Sequence, residues 1–237
     1  MKALIFAAGK GTRLKPFTDH HPKALAPVNG IPLLERNINF LKEAGIRHFV
    51  INIHHYGQQI VEFLKKNDNF GCKIEISDET HELLETGGGL VFAKPFLENE
   101  TNFLVMNADI LTDMNISDFI DYHYKSEDFI TLAVSDRTSS RKLLFNDELI
   151  LRGWMNVTTG EQRLAEFNSG FKPFAFSGIH CINSKIFNKI KRHGKFSIME
   201  EYLDLMLTEQ IKGYLHQSKL IDVGKPEAVI EAEKHFK

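Results

Sequence analysis

The segment Ala7-Ala8-Gly9-Lys10-Gly11-Thr12-Arg13-Leu14 gathers two glycines, a hydroxyl and two cations into one short stretch. Glycines let backbone N–H groups approach an anion closely, and the cations neutralise it. An apolar run at residues 2–8 leads straight into this segment, which therefore reads as a phosphate cradle at the carboxyl end of a strand. It is neither of two familiar cradles. The dinucleotide fingerprint needs a glycine where Leu14 stands and an acidic residue after the second strand, which here ends Asn52-Ile53-His54-His55; a Walker A loop is also absent. A second cation follows in Pro22-Lys23-Ala24-Leu25-Ala26-Pro27-Val28, where one lysine stands in an apolar, proline-fenced stretch. A buried amine needs a partner anion, so the two segments together read as cations over one polyphosphate.

Two carboxylates complete the set. Asn107-Ala108-Asp109 follows the apolar run 103–106, and Asp222 ends another predicted strand within Ile221-Asp222-Val223-Gly224-Lys225-Pro226. Facing one crevice, they would offer the oxygen ligands that Mg²⁺ shares with substrate phosphates. Asp113 stands in a D-x-x-x-D spacing with Asp109 and reads as a helix-cap residue. In Leu84-Glu85-Thr86-Gly87-Gly88-Gly89 the glycines remove side chains where a base or ribose would lie, leaving backbone groups and Glu85 to read base edges. The same glycines would equally serve a close contact between helix and sheet. The histidine pairs His20-His21 and His54-His55 lack H-x-x-x-H or H-E-x-x-H spacing, and adjacent strand residues point to opposite faces, so none is assigned to zinc. Cys72 and Cys181 form neither a dense disulfide framework nor a CxxC pair, which points to a reduced, cytoplasmic setting.

Strands and helices must hold these groups, and the periodicities place them. Residues 2–8, 49–53, 73–77 and 103–106 read as buried strands. Between them lie a helix carrying Leu34, Ile38 and Leu41, one carrying Tyr56, Ile60, Phe63 and Leu64, and one opened by glycines 87–89. That is βαβαβαβ, the pattern of a parallel sheet with crossover helices. Beyond residue 113 the pattern is mixed: a helix near 115–126, a strand at 130–135, short β pieces at 143–145, 149–151 and 174–182, helices near 184–192 and 198–210, a strand at 214–222, and a last helix after Pro226. The expectation is a single α/β domain over 1–237: an open, mostly parallel sheet with an appended β-rich lobe. The chain has 29 Lys plus Arg against 31 Asp plus Glu, a net charge of −2. No bulk positive field therefore exists for nucleic acid or an anionic bilayer. No apolar run approaches the roughly 18 residues of a membrane span.

The first motif, followed by Pro22 to Val28, resembles the signature of the sugar-1-phosphate nucleotidyltransferases. Asn107-Ala108-Asp109 resembles that family's strand-terminal metal site, and Ile221 to Pro226 its C-terminal motif, so the resemblance spans nearly the whole chain. Glu85-Thr86-Gly87 is most similar to the short N-acetylmuramate-1-phosphate uridylyltransferases and their mannose-1-phosphate guanylyltransferase relatives. The resemblance implies a Rossmann-like, three-layer mixed sheet of the GT-A-like nucleotidyltransferase type. Residues 1–113 would bind nucleotide, and 114–237 would supply a small β-rich sugar lobe and the C-terminal helices. The 237-residue length is read as leaving no room for the appended domains of longer relatives.

The implied reaction takes a nucleoside triphosphate and a sugar 1-phosphate to a nucleotide-sugar and pyrophosphate with Mg²⁺. Arg13, Lys23, Asp109 and Asp222 are the expected catalytic residues, the two aspartates holding the metal. Ala8, Gly9, Gly11, Thr12, Arg13, Lys23, Glu85, Gly87, Gly88 and Asn107 are expected at the nucleotide, and Gly153, Glu166 and Gly178 at the sugar. Phe171-Lys172-Pro173 keeps only part of the family's Glu-Lys-Pro, which puts Lys172 as a phosphate ligand in doubt. UTP with N-acetylmuramate 1-phosphate, a cell-wall sugar, is the favoured pair. The alternatives are GTP with mannose or heptose 1-phosphate, cytidylyl transfer to phosphocholine with Trp154 as one wall of an aromatic cage, and an inactive domain that senses nucleotide-sugar.

Overall fold

The computed structural model describes residues 1–166 and 170–237. Its first half runs β1 (Ala3–Phe6), a ribbon of β2 (Pro27–Val28) and β3 (Ile31–Pro32), α1 (Leu33–Glu43), β4 (His48–Ile53), α2 (Gly57–Lys66), β5 (Lys73–Asp78), α3 (Glu85–Phe92), α4 (Lys94–Leu97) and β6 (Asn102–Asn107). The second half runs β7 (Ile110–Thr112), α5 (Ile116–Ser126), β8 (Ile130–Ser135), β9 (Arg141–Phe145), β10 (Leu151–Asn156), β11 (Gln162–Leu164), β12 (Lys172–Asn183), α6 (Ile198–Leu205), β13 (Ile211–Leu215), β14 (Leu220–Asp222) and α7 (Pro226–His235). Strands β5, β4, β1 and β6 lie side by side in parallel, as the crossover pattern requires. Antiparallel pairing then carries the same sheet through β12 into the β9-β10-β11 meander.

Alternation along the strands sends neighbouring side chains to opposite faces. Ala3, Ile5, Phe49, Ile51, Leu104 and Met106 join Leu34, Ile38 and Leu41 of α1 and Ile60 of α2 in one core. Leu4, Val50, Phe103 and Val105 join Leu90 of α3 and Tyr202 of α6 in the other. The result is the expected three-layer α/β arrangement. A third cluster of Leu14, Ala26, Val28, Leu111, Ile221, Val223 and Ala232 lies under the loops that carry the predicted cations and carboxylates.

Strand β12 joins the halves. Its first residues pair with β9, its last with β6, and its register on β8 shifts between Phe176 and His180. Gly178 sits in that bulge at φ +74°, and a Cβ there would meet Ile110 and the Asn107 amide. A backbone that must turn left-handed against a neighbouring strand end takes glycine.

Several expected boundaries move. The helix expected near 184–192 is a 3-10 turn over Ser184–Asn188, because the chain leaves the helical path to set Arg192 against Asp204 and Glu201 of α6. Helix α6 stops at Leu205 rather than at 210. The strand expected at 214–222 is two strands, since the chain must leave β8 after β13 to pair β14 with β7. Glycines 87–89 lie inside α3 rather than opening it. A Cβ on Gly87 would enter the Phe196 ring, one on Gly88 the Gly194 carbonyl, and one on Gly89 the Glu79 carboxyl.

Gly88→Ala therefore should lower stability by about 1–3 kcal/mol through overpacking. Gly9→Ala, where a Cβ meets nothing within 4 Å, should stay within about 0.5 kcal/mol. Equal thermal midpoints for the two variants would refute this packing role. The buried His123 and His180 rings bond Thr131 Oγ1 and the Tyr202 hydroxyl, and burial pushes their pKa values down from 6.5 to about 4 and about 3. Below pH 6.5 the unfolded chain binds protons that the folded chain refuses. Stability should thus be complete above pH 6.5 and fall on acidification toward pH 4 by roughly 1.4 kcal/mol per unit for each ring. Urea midpoints that stay flat from pH 7 to pH 5 would show that these rings are not held neutral.

Candidate active site

The cradle loop leaves β1 and the Asn107-Ala108-Asp109 segment leaves β6 at adjacent points, Phe6 lying opposite Asn107 in the parallel register. The short β7–β14 ribbon brings the second carboxylate to the first. Asp222 pairs with Ile110, and the Val223 N–H donates to the Asp109 carbonyl at 2.8 Å. From α1, the buried Asn37 amide donates to the Ala108 carbonyl at 2.9 Å and fixes the turn between β6 and β7.

Lys23 closes the arrangement. Its ammonium forms an ion pair with Asp109 Oδ2 and stands 4.0 Å from Asp222 Oδ1, with 11% of its side chain exposed. Gly11 lets the lysine stem pass: its φ is +62°, and a Cβ would lie 2.8 Å from Lys23 Cβ and 2.9 Å from Thr18 Cγ2. Thr18 in turn donates from its hydroxyl to the Gly11 carbonyl at 2.9 Å. Arg13 lies beside Gly224 and Asp222, since a Cβ on Gly224 would sit 3.0 Å from its Nη2 and 2.9 Å from Asp222 Oδ1. Burial, and then the neighbouring Asp109, push the Asp222 carboxyl above its ordinary range, against the pull of Lys23, Arg13 and Arg137. Two carboxylates crowded in this way gain from a further cation between them.

In front of this cluster opens a cleft of about 380 Å³, lined by Ala8, Gly9, Glu85, Thr86, Asn107 and Asp109 among others. Ala8, Gly9, Glu85, Asn107 and Asp109 of the expected set therefore share one wall, with Lys23, Arg13 and Asp222 at its edge. Gly11 lies beneath the lysine stem, Thr12 is exposed on the loop, and Gly178 touches the site through Asn107. Glu85 opens α3 at φ +61° and lies 3.7 Å from Lys195 Nζ. A non-glycine residue held there costs about 1–3 kcal/mol.

Other expected residues stand elsewhere. The N–H groups of Gly87 and Gly88 both donate to the Phe196 carbonyl, at 2.9 and 3.3 Å, and so dock α3 on the 194–197 loop. Gly153 packs in the β10–β11 hairpin, where a Cβ would lie 2.7 Å from the Arg163 carbonyl. Glu166 is exposed, 4.0 Å from Arg152 Nε. Lys172 opens β12 and pairs at 2.9 Å with Asp147.

The sequence reading missed Asn52 and Glu79. Asn52 Oδ1 accepts from the N–H groups of Ala7 and Ala8, and its Nδ2 donates to Glu79 Oε1 at 2.7 Å. Burial pushes the Glu79 carboxyl up, against those hydrogen bonds. An asparagine inside the apolar run of β4 was the available signal. It fixes where the cradle loop leaves the sheet.

The comparisons with known proteins agree with this geometry. Residues 2–143 match the nucleotidyl transferase family. The chain is 30% identical to the N-acetylmuramate alpha-1-phosphate uridylyltransferase of Neisseria meningitidis, over 94% of this chain and 93% of that protein. It is 28% identical to the D-glycero-alpha-D-manno-heptose 1-phosphate guanylyltransferase of Campylobacter jejuni, over 96% of each. Other relatives are longer, and the chain spans 54% of some of them. The fold matches that of HddC from Yersinia pseudotuberculosis complexed with GMP-PN, with a TM-score of 0.81 at 22% identity, covering 100% of this chain and 99% of that one. With the family match covering more than half its length and the cradle, lysine and paired aspartates all converging, the chain belongs to the nucleotidyl transferase family.

Proposed function

We propose that the chain transfers a uridylyl group from UTP to N-acetylmuramate 1-phosphate and releases pyrophosphate. The observation that carries this reading is the convergence of Asp109, Asp222 and Lys23 at the rim of a cleft walled by the cradle loop. An oxygen of the acceptor's phosphate attacks the α-phosphorus, and the bond from that phosphorus to the bridging β-phosphate oxygen breaks. The attacking oxygen is already anionic, so no side-chain nucleophile or base is required. Arg13 and the N–H groups of residues 9–12 would hold the departing β- and γ-phosphates, and Lys23 the α-phosphate.

The two carboxylates, crowded enough that Asp109 helps to push Asp222 up, fit a hard divalent cation that takes its remaining ligands from substrate oxygens. Mg²⁺ there would neutralise charge developing on the phosphates. We read residues 1–237 as one catalytic unit, with 1–113 at the nucleotide and 114–237 at the acceptor. No helix among the described residues is long and apolar enough to cross a membrane.

The choice of UTP and N-acetylmuramate rests on Glu85-Thr86-Gly87 and on the similarity to the meningococcal uridylyltransferase. A second reading, GTP with a heptose or mannose 1-phosphate, is favoured by the campylobacter relative and the GMP-PN-bound neighbour. Cytidylyl transfer to phosphocholine finds less support, since Trp154 packs against the β9–β10 side of the core. A purely sensing role has no need of both aspartates.

Pyrophosphate release across four nucleoside triphosphates and a panel of sugar 1-phosphates should give the highest kcat/KM for UTP with N-acetylmuramate 1-phosphate; a maximum with GTP and heptose phosphate would establish the second reading. Asp109→Asn and Asp222→Asn should each lower kcat by about 100-fold or more while remaining folded, Asp109→Asn at a lower thermal midpoint because Lys23 loses its ion pair. Near-normal turnover in both would rule out their metal role.

A further inference from the structure

Any acceptor phosphate arriving at this site meets the triphosphate and two carboxylates, so it needs positive charge on its own side. Arg13 and Lys23 both stand on the cradle side. Lys172, in the remnant of the Glu-Lys-Pro pattern, is 54% exposed and paired with Asp147.

Arg137 stands where that charge is missing. Strands β6 and β8 both run antiparallel to β12 and so point the same way, which puts the residues just past β8 at the Asp109 end of the sheet. Of the guanidinium's five N–H donors, Nη2 gives one to the Phe176 carbonyl at 2.8 Å, and Nε has no partner. Among the described residues no carboxylate lies within ion-pair distance of it. Its neighbour Asp136 is 87% exposed and faces Lys142 at 4.0 Å, while Lys142 Nζ donates to the Arg137 carbonyl at 2.7 Å and pins the backbone.

Arg137 lines a cleft of about 420 Å³ with Ser135, Phe174, His216 and Leu220. Leu220 lies two residues before Asp222 on β14, and Phe176, which takes the Arg137 hydrogen bond, lies two residues before Gly178, which abuts Asn107. His216 is 7% exposed; its Nε2 meets Ser177 Oγ at 2.8 Å and its Nδ1 is unpartnered. Burial lowers the Arg137 pKa and Asp222 raises it, so the two charges lie within each other's field. A half-buried cation with an unpartnered Nε and no carboxylate is costly, and the guanidinium fork matches phosphate oxygens.

We infer that Arg137 binds the 1-phosphate of the acceptor. The inference rests on nucleotidyl transfer to a sugar 1-phosphate, whichever base and sugar are used.

Initial rates of pyrophosphate release, each substrate varied in turn, test it in Arg137→Ala, Arg137→Lys and Lys172→Ala. Arg137→Ala should lower kcat/KM for every acceptor that the parent uses by about 100-fold, with KM for the nucleotide changed by less than about 2-fold. Arg137→Lys, which keeps charge without the fork, should recover part of the loss and serves as the folded comparison if the alanine variant is unstable. Lys172→Ala should match the parent. Unchanged acceptor kcat/KM in both Arg137 variants would overturn the assignment, as would a rise in nucleotide KM alone. A loss confined to N-acetylmuramate 1-phosphate and absent with N-acetylglucosamine 1-phosphate would mean that Arg137 reads the sugar's carboxylate instead. A preference of the parent for GTP and heptose phosphate would remove the UTP reading and leave this comparison intact.

Discussion

The ion cluster of Lys23 with Asp109 and Asp222 is the constraint on which the rest of the structure depends. Its members come from three distant segments, and each is largely desolvated or crowded by like charge. Such a cluster is stable only if the backbone holds its members without slack. The β7–β14 ribbon, the Val223 N–H on the Asp109 carbonyl and the Asn37 amide on the Ala108 carbonyl supply that restraint. Beneath them the cluster of Leu14, Ala26, Leu111, Ile221 and Val223 ties the three segments into one apolar base. Burial of these side chains, at roughly 25 cal/mol per Å², offsets the cost of bringing charged groups together above them.

The same economy explains the glycines. At Gly11 and Gly224 the space a Cβ would fill belongs to the Lys23 stem or the Arg13 guanidinium, so the glycines admit cations to the site. At Gly87 and Gly88 that space belongs to Phe196 and Gly194. One residue type therefore does two jobs. The string Glu85-Thr86-Gly87-Gly88-Gly89 holds both, with Glu85 and Thr86 on the cleft wall and the glycines behind them as packing.

What the sequence disclosed follows from where each signal arises. The βαβαβαβ half was legible because buried parallel strands are continuous apolar runs and the crossover helices α1 and α2 are strongly amphipathic. The cradle, Lys23, Asp109 and Asp222 were legible because their residue types are unusual for their surroundings. The ribbons β2–β3 and β7–β14 are two or three residues long, set by tertiary pairing, and leave no period to detect. Asn52 and Glu79 are 27 positions apart and meet only when β4 and β5 pair. The role of Lys172 stayed open in the sequence for a related reason. A two-residue remnant of a motif carries composition without position, and the register of β12 on β9 turns it toward Asp147.

A near-neutral chain binding two polyanions must place its cations locally, and their distribution decides what each cleft can hold. Lys23 is already paired with Asp109, so much of its charge is balanced before any nucleotide arrives. A metal taking up the aspartate oxygens would free the ammonium for the α-phosphate, coupling metal and nucleotide binding through one side chain. Arg137 has no such internal balance among the described residues, and its field adds to those of Lys23 and Arg13 at Asp222. On the proposed function, anions of the acceptor would meet unspent positive charge at Arg137 on one side of the carboxylates, and nucleotide phosphates the charge that a metal would release at Lys23 on the other.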